Sequence, residues 1–289
     1  MRAGSGDELA YACITHITLP YEFPPYVTPI YVGNAQGAGK LNLRDLAPHW
    51  EPHHPLLGGT AGVFAVKNWL QRDHPAARAV GLCQYRKFVS RRRISRVVAK
   101  SYAAMDVVSS AQLPVDALAE WMLPGLEPFL VSRLLSLRKE GGYLRQYARA
   151  HNAPDLLHFC AEAVAQGVID AREAHAFLTE EQMIPGGIEL GVFPADFWIR
   201  SISAVEGVIR ACIERYPIAH EGYQSRAWAF CGERLGSYLL LRHFRCGALR
   251  PPGAERFRRM LPGHWSHRFC GRLNLIVEAG QSDYVIGGA

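Results

Sequence analysis

The chain has 289 residues, 49% of them hydrophobic and 20% charged, with 32 Lys and Arg against 26 Asp and Glu. That composition can bury one large core or two modest ones and excludes an intrinsically disordered chain. A formal net charge of +6 favours acidic partners without choosing among nucleic acid, nucleotide and membrane surface.

Seven cysteines, at positions 13, 83, 160, 212, 231, 246 and 270, form no C-x-x-C pair and sit mostly in apolar stretches, so they read as reduced core residues of a cytosolic protein. Met1 to Glu8 is polar and carries two acids, unlike a secretory leader, and no apolar run has the length of a membrane span. The expected location is the cytoplasm.

In chain order, Leu9 to Ile17 and Pro29 to Val32 read as strands, Gly59 to Gln71 has helical spacing, and Ala79 to Gln84 and Met105 to Val108 read as further strands. This alternation predicts an α/β domain with a largely parallel sheet covered by helices. Pro114 to Phe177 reads as helical. Pro154-Asp155 opens one helix that Gly167 closes, and Asp170 with Glu173 has the spacing of a capping box. Ile188 to Phe193 returns to strand character, and Pro194 opens a helix that Tyr216-Pro217 stops. Ser225 is the expected cap of a last helix carrying Trp228, Cys231, Leu235 and Leu239 on one stripe. After Phe244 the chain is rich in Pro, Gly and Arg, with one more apolar run from Leu273 to Val277. The expected organisation is one domain over residues 1–244 with a helical insertion over about 114–180, and a basic extension over 245–289 packed on the same domain.

The segment from Ala79 to Phe88 is the most informative. An apolar run ends in Gln84-Tyr85-Arg86-Lys87, and in open α/β sheets ligands sit beyond the carboxyl ends of strands, where such a cluster meets an anion. The plainer reading is a strand that runs into a basic surface loop. Two other arginine-rich stretches, Ser90 to Arg96 and Arg242 to Arg272, lack the interleaved aromatics of a nucleic-acid platform. A solvated face or contact with anionic lipid head groups suits them better. His49, His53 and His54 lie between Pro52 and Pro55 without zinc-ligand spacing. Gly33, Gly37 and Gly39 form only a loose likeness of a phosphate loop, since Leu41 follows Lys40, and a mobile loop is expected there.

Several segments together resemble one family, the bacterial glycosyltransferase-like proteins of capsular and exopolysaccharide gene clusters, long described as a domain of unknown function. They are Ile14-Thr15-His16, Pro29-Ile30-Tyr31-Val32-Gly33, Thr60 to Val66 with Lys67-Asn68, and Gly81 to Phe88, followed by Met105-Asp106-Val107-Val108 and Gly232-Glu233-Arg234-Leu235. The likeness covers most of residues 11–110 and 186–240. Gln84 stands where the family has a histidine, Lys87 where it has an arginine, and Gly58 where it has an acid. The resemblance implies a GT-A-type transferase that takes a sugar from a nucleotide-diphosphate donor to a polysaccharide or lipid-linked acceptor, with the N-terminal sheet binding the nucleotide. From the charge distribution, the basic C-terminal region is expected to face an anionic acceptor or a membrane peripherally, and no nucleic-acid partner is expected. The rival reading is a nucleotide-binding protein that has lost turnover, as the changes at Gln84 and Gly58 allow; a basic scaffold for nucleic acid or a partner protein is a third.

Sugar transfer places growing negative charge on a diphosphate leaving group. Enzymes of this fold mostly meet it with Mn or Mg held by Asp-x-Asp, and this chain contains no Asp-x-Asp. Either separated acids hold a metal or cations replace it. The second reading makes Arg86 the phosphate ligand, with Lys87 and Lys67 as point charges, and sets it against a plain salt bridge. Thr15, His16 and Gln84 are expected at strand ends facing the donor. Tyr85 either stacks on the base or, as is safer, packs between strands. Asp106 is read as a ligand for ribose or metal, or as a strand-edge acid. A base for the acceptor hydroxyl is sought at Glu233 or Glu189.

Overall fold

The computed structural model of the chain describes residues 8–35, 37, 39–100, 104–125, 127–246 and 269–278. Strand β1 (Leu9–Thr15) lies between two parallel neighbours, β2 (Val27–Tyr31) and β3 (Ala79–Gln84). Three helices, α1 (Leu43–Leu46), α2 (His54–Leu57) and α3 (Gly59–Asp73), connect β2 to β3. β3 turns through Tyr85-Arg86 directly into β4 (Lys87–Ser90), and β5 (Val98–Lys100) pairs antiparallel with β6 (Ala104–Ser109).

The middle of the chain holds α4 (Val115–Trp121), β7 (Val131–Ser132), β8 (Leu135–Ser136), α5 (Tyr143–Ala150), α6 (Ala153–Ala165), α7 (Glu173–Leu178) and β9 (Gln182–Met183). Next come β10 (Gly191–Pro194), α8 (Ala195–Arg215), α9 (Ala227–Arg245) and β11 (Cys270–Val277). Among the described residues the main sheet runs β2-β1-β3-β4-β11-β6-β5, with β10 against β3 and β7 against β11.

Alternation along β1 separates two cores. Ala10, Ala12 and Ile14 face a cluster with Val63 and Phe64 of α3, Trp198 and Ile202 of α8 and Leu235 of α9, while Tyr11 and Cys13 face Phe88, Met105, Leu118 and Leu275. Both faces are covered, which is why β1 and β3 read as continuous apolar runs. All seven cysteines lie among the described residues as free thiols.

Half of the expected capping box is present: the Asp170 amide donates to Glu173 Oε2 at 2.9 Å, but the Asp170 carboxylate accepts the Arg172 amide and α7 begins only at Glu173. Three expectations change. Ser225 does not cap α9; its hydroxyl donates to the Gly222 carbonyl inside a 3-10 turn over Gly222–Arg226. The middle block is not wholly helical, since β7 joins the main sheet and β8 pairs with β9. The stretch expected as a basic extension packed on the domain supplies β11, an interior strand of its sheet, hydrogen-bonded antiparallel to β4 and parallel to β6. Residues 247–268, which hold much of the basic run expected to face an acceptor or membrane, lie outside the described residues.

Gly81 sits opposite Tyr11 in the β1–β3 register, and a Cβ there would lie 2.1 Å from the Tyr11 ring. The ring occupies the space a side chain would need. Gly81→Ala should therefore cost about 1–3 kcal/mol or more in urea unfolding, whereas a loss within error would mean that Tyr11 moves aside freely.

Candidate functional site

The parallel strands β1 and β3 end side by side. The Tyr85 amide donates to the Ile14 carbonyl at 3.0 Å, bringing the two tips together. Thr15 is buried, and its hydroxyl donates to the Ile17 carbonyl at 2.6 Å and accepts the Ile17 amide at 3.2 Å. Its polar capacity goes into the turn that presents His16 outward, so it positions a neighbour instead of facing a ligand.

His16 packs edge-on against Tyr85 with ring centroids 4.5 Å apart, and the Arg86 guanidinium lies 5.0 Å from the Tyr85 centroid. Tyr85 thus packs, but on the strand tips and beside a cation. Partial desolvation, then the charges of Arg86 and Arg226, lower the His16 pKa below the usual histidine value. Desolvation and two guanidiniums thus act together on one imidazole and favour its neutral form.

The N-terminus of α3 closes the other side. Gly58 adopts φ +54, a conformation that favours glycine, and a Cβ there would lie 3.5 Å from Arg226 Nη1. An acid at this point would be strained by that φ, although its Cβ would meet Arg226 at ordinary van der Waals distance. A Cβ on Gly59 would come within 3.0 Å of Gln84 Nε2, so Gln84 lies over the first turn of α3. Burial is the main cause lowering the His54 pKa, and the charges of Arg226 and His16 add to it against Glu51.

Behind these cations lies a carboxylate pair. Glu189 is buried and accepts from the Thr60 hydroxyl at 2.9 Å. Desolvation, with the neighbouring charge of Glu233, raises its pKa from the ordinary value near 4.5 to about 8, against the opposing effects of Thr60 and Lys87. Glu233, half-buried on α9, accepts the Gly186 amide at 2.8 Å. His16, Gln84, Tyr85, Arg86, Lys87, Glu189 and Glu233 thus share one neighbourhood around the ends of β1 and β3.

Two expected residues are engaged elsewhere. Lys67 is ion-paired to Glu206 of α8, whose other oxygen accepts from Trp50 Nε1 at 2.7 Å, so it does not serve as a point charge at the strand tips. Asp106 is buried in β6, with Arg272 of β11 on both its oxygens. It is neither a strand-edge acid in solvent nor open to a ribose. Among the described residues no three His, Cys, Asp or Glu side chains converge, and the strand-tip acids are a carboxyl kept largely protonated and one taken up by a backbone amide. His49 and His53 line a cavity of about 300 Å³ with Arg210 and Glu214, while His54 faces Gly33 instead.

Arg226 and Thr60 were not expected. Arg226 is the N-cap of α9, where a cation opposes the helix dipole, and that local conflict is the one signal in the sequence that could have found it. For Thr60 the signal was the Gly58-Gly59 pair before an apolar helix.

No protein-family model matches the chain, and no curated protein matches it. Among solved structures, the apo form of the bifunctional glycosyltransferase WbbM superposes with a TM-score of 0.69 over 98% of this chain, at 12% sequence identity. The chain has a GT-A-like glycosyltransferase fold. It spans about half of that protein, the match covering 47% of WbbM. Among the described residues no helix is long and apolar enough to cross a membrane.

The Glu189 shift carries a stability signature. The folded chain holds a proton on Glu189 up to about pH 8 that the unfolded chain releases near pH 4.5. Stability from this group is therefore complete below that lower value and is lost as pH rises through the window. Relative to Glu189→Gln, the parent should lose on the order of 3–5 kcal/mol between pH 4 and 9 in denaturant titrations. Parallel pH profiles for the two proteins would show that the carboxyl is not desolvated.

Proposed function

We propose that this chain transfers a sugar from a nucleotide-diphosphate donor to a saccharide or lipid-linked acceptor, using the tips of β1 and β3 as the donor site. The observation that carries the reading is the placement of Arg86 and Arg226 about His16, with Glu189 and Glu233 nearby. On a GT-A-like scaffold, fixed positive charge at the strand tips suits a departing diphosphate, and a nearby carboxylate suits the acceptor's proton.

In that reaction the acceptor hydroxyl attacks the anomeric carbon while the bond from that carbon to the diphosphate oxygen breaks. The bonding pair leaves with the phosphate, and the acceptor proton passes to a carboxylate. Arg86 and Arg226 offset the charge that develops on the leaving group, with planar donors suited to phosphate oxygens. Burial favours the protonated form of Glu189 near neutral pH, which suits it less well to the role of base. Glu233 takes that role, held by the Gly186 amide. Lys87 lies within electrostatic reach of Glu189 and adds positive charge on the β4 side.

UDP or GDP added during thermal unfolding should raise the midpoint for at least one of them, since a ligand selective for the folded state stabilises it. With a UDP- or GDP-sugar and cell-derived acceptor, the chain should release nucleoside diphosphate, and Arg86→Ala should lower that rate by about 100-fold or more without a matching loss of stability. Normal turnover by Arg86→Ala would remove the cation from the mechanism. A nucleotide-dependent midpoint without release, across acceptors, would leave a binding protein.

A further inference from the structure

The 3-10 turn that delivers Arg226 also carries Tyr223, which at 65% exposure is the most solvent-accessible large hydrophobic side chain among the described residues. Its ring lies 4.8 Å from Phe230 and 6.2 Å from His151, and His151 stacks on Phe230 at 4.4 Å with 25° between the planes. Phe230 and His151 are half-buried. The rings form one shelf with an open outer end.

The polar chemistry of the shelf is defined. Gln224 Nε2 donates to the Ala150 carbonyl at 2.9 Å, which turns Oε1 toward His151 Nδ1 at 3.0 Å. Nδ1 must then carry the proton, leaving Nε2 of the neutral ring as an acceptor. Burial is the main cause that lowers the His151 pKa, consistent with a neutral ring. Glu233 lies within electrostatic reach of His151. Phe230 and Glu233 are three residues apart on α9 and so share one face, and Arg226 caps the start of that helix.

A pyranose ring has an apolar face of C–H groups and an edge of hydroxyls. An aromatic shelf bordered by one imidazole acceptor, next to the carboxylate that receives the acceptor's proton, matches both. We propose that Tyr223, Phe230 and His151 form the acceptor subsite, on which the terminal sugar of a saccharide chain stacks while one of its hydroxyls donates to His151 Nε2. The subsite rests on the transferase reading given above, because that reading places the reacting hydroxyl at Glu233. A nucleobase also stacks on aromatic rings, but Tyr85 and His16 already offer rings at the strand tips.

The full-length chain and its Tyr223→Ala variant are passed over an immobilised panel of gluco-, galacto- and manno-oligosaccharides, with UDP and GDP thermal shifts measured in parallel. Tyr223 is exposed, so its replacement leaves the fold intact. The expected result is retention of at least one glycan class by the parent, weakened about tenfold or more in the variant, with nucleotide shifts the same in both. Three results overturn the subsite: no glycan retained by the parent, equal retention by the two proteins, or a nucleotide shift lost in the variant, which would assign the shelf to the base. Tyr223-dependent glycan retention with no nucleotide shift in either protein upholds the sugar shelf and removes the donor site.

Discussion

A carboxyl group held out of water is the constraint around which the strand-tip site is organised. Glu189 meets the Thr60 hydroxyl of α3, the charge of Glu233 on α9 and that of Lys87 on β4, so three elements must keep their spacing for it to stay buried. The segment that carries it is pinned accordingly. Ser237 accepts the Ile184 amide at 2.8 Å, Trp198 Nε1 donates to the Ile188 carbonyl at 2.8 Å, and a Cβ on Gly187 would lie 2.8 Å from the Glu233 carbonyl. Gly186 and Gly187 both take positive φ, which lets the chain press against α9. The segment is thus held both by side-chain hydrogen bonds and by close backbone contact with α9.

The charge distribution follows a related logic. Many arginines of this basic chain are spent on structure: Arg272 holds Asp106, Arg245 holds Glu180, Arg242 holds Glu173, and Arg215 holds Glu162, whose carboxylate also accepts from the Tyr216 hydroxyl. Arg91 reaches Glu120 and Arg92 lies over Trp121. The arginine-rich look of residues 90–96 is thus partly consumed by local partners. Net charge described the chain poorly, and the placement of each cation described it better.

Much of the first half could be read from residue order. Ala79 to Gln84 was found with the bounds the structure has, and β1 and α3 differ by two residues at one end, because their apolar periods are strong and their neighbours in sequence are their neighbours in space. Pro194 and Tyr216-Pro217 bracketed α8 correctly for the same local reason. Strands of two to four residues, such as β7, β8 and β4, give no periodic signal and depend on distant partners. Glu189 and Glu233 were each recognisable as acids in apolar surroundings, but their mutual effect is tertiary. Asp106 misled because its partner, Arg272, lies 166 residues away. The pairing of β11 with β4 and β6 was equally invisible, since an apolar run near the end of a chain says nothing about which sheet position awaits it.

That position has a consequence for synthesis. Asn274 bonds the Phe88 carbonyl across 186 residues, so the two halves of the sheet cannot zip together until β11 has left the ribosome. At about 5–20 residues per second, β4 and β6 wait roughly 10–40 s with an open edge. During that interval the nascent chain exposes unpaired backbone and apolar side chains of a kind that invite intermolecular strand addition. Such long-range closure also implies high contact order and slow refolding. A chaperone that shields the nascent sheet would bear more on the yield of this protein than would stabilisation of its finished core.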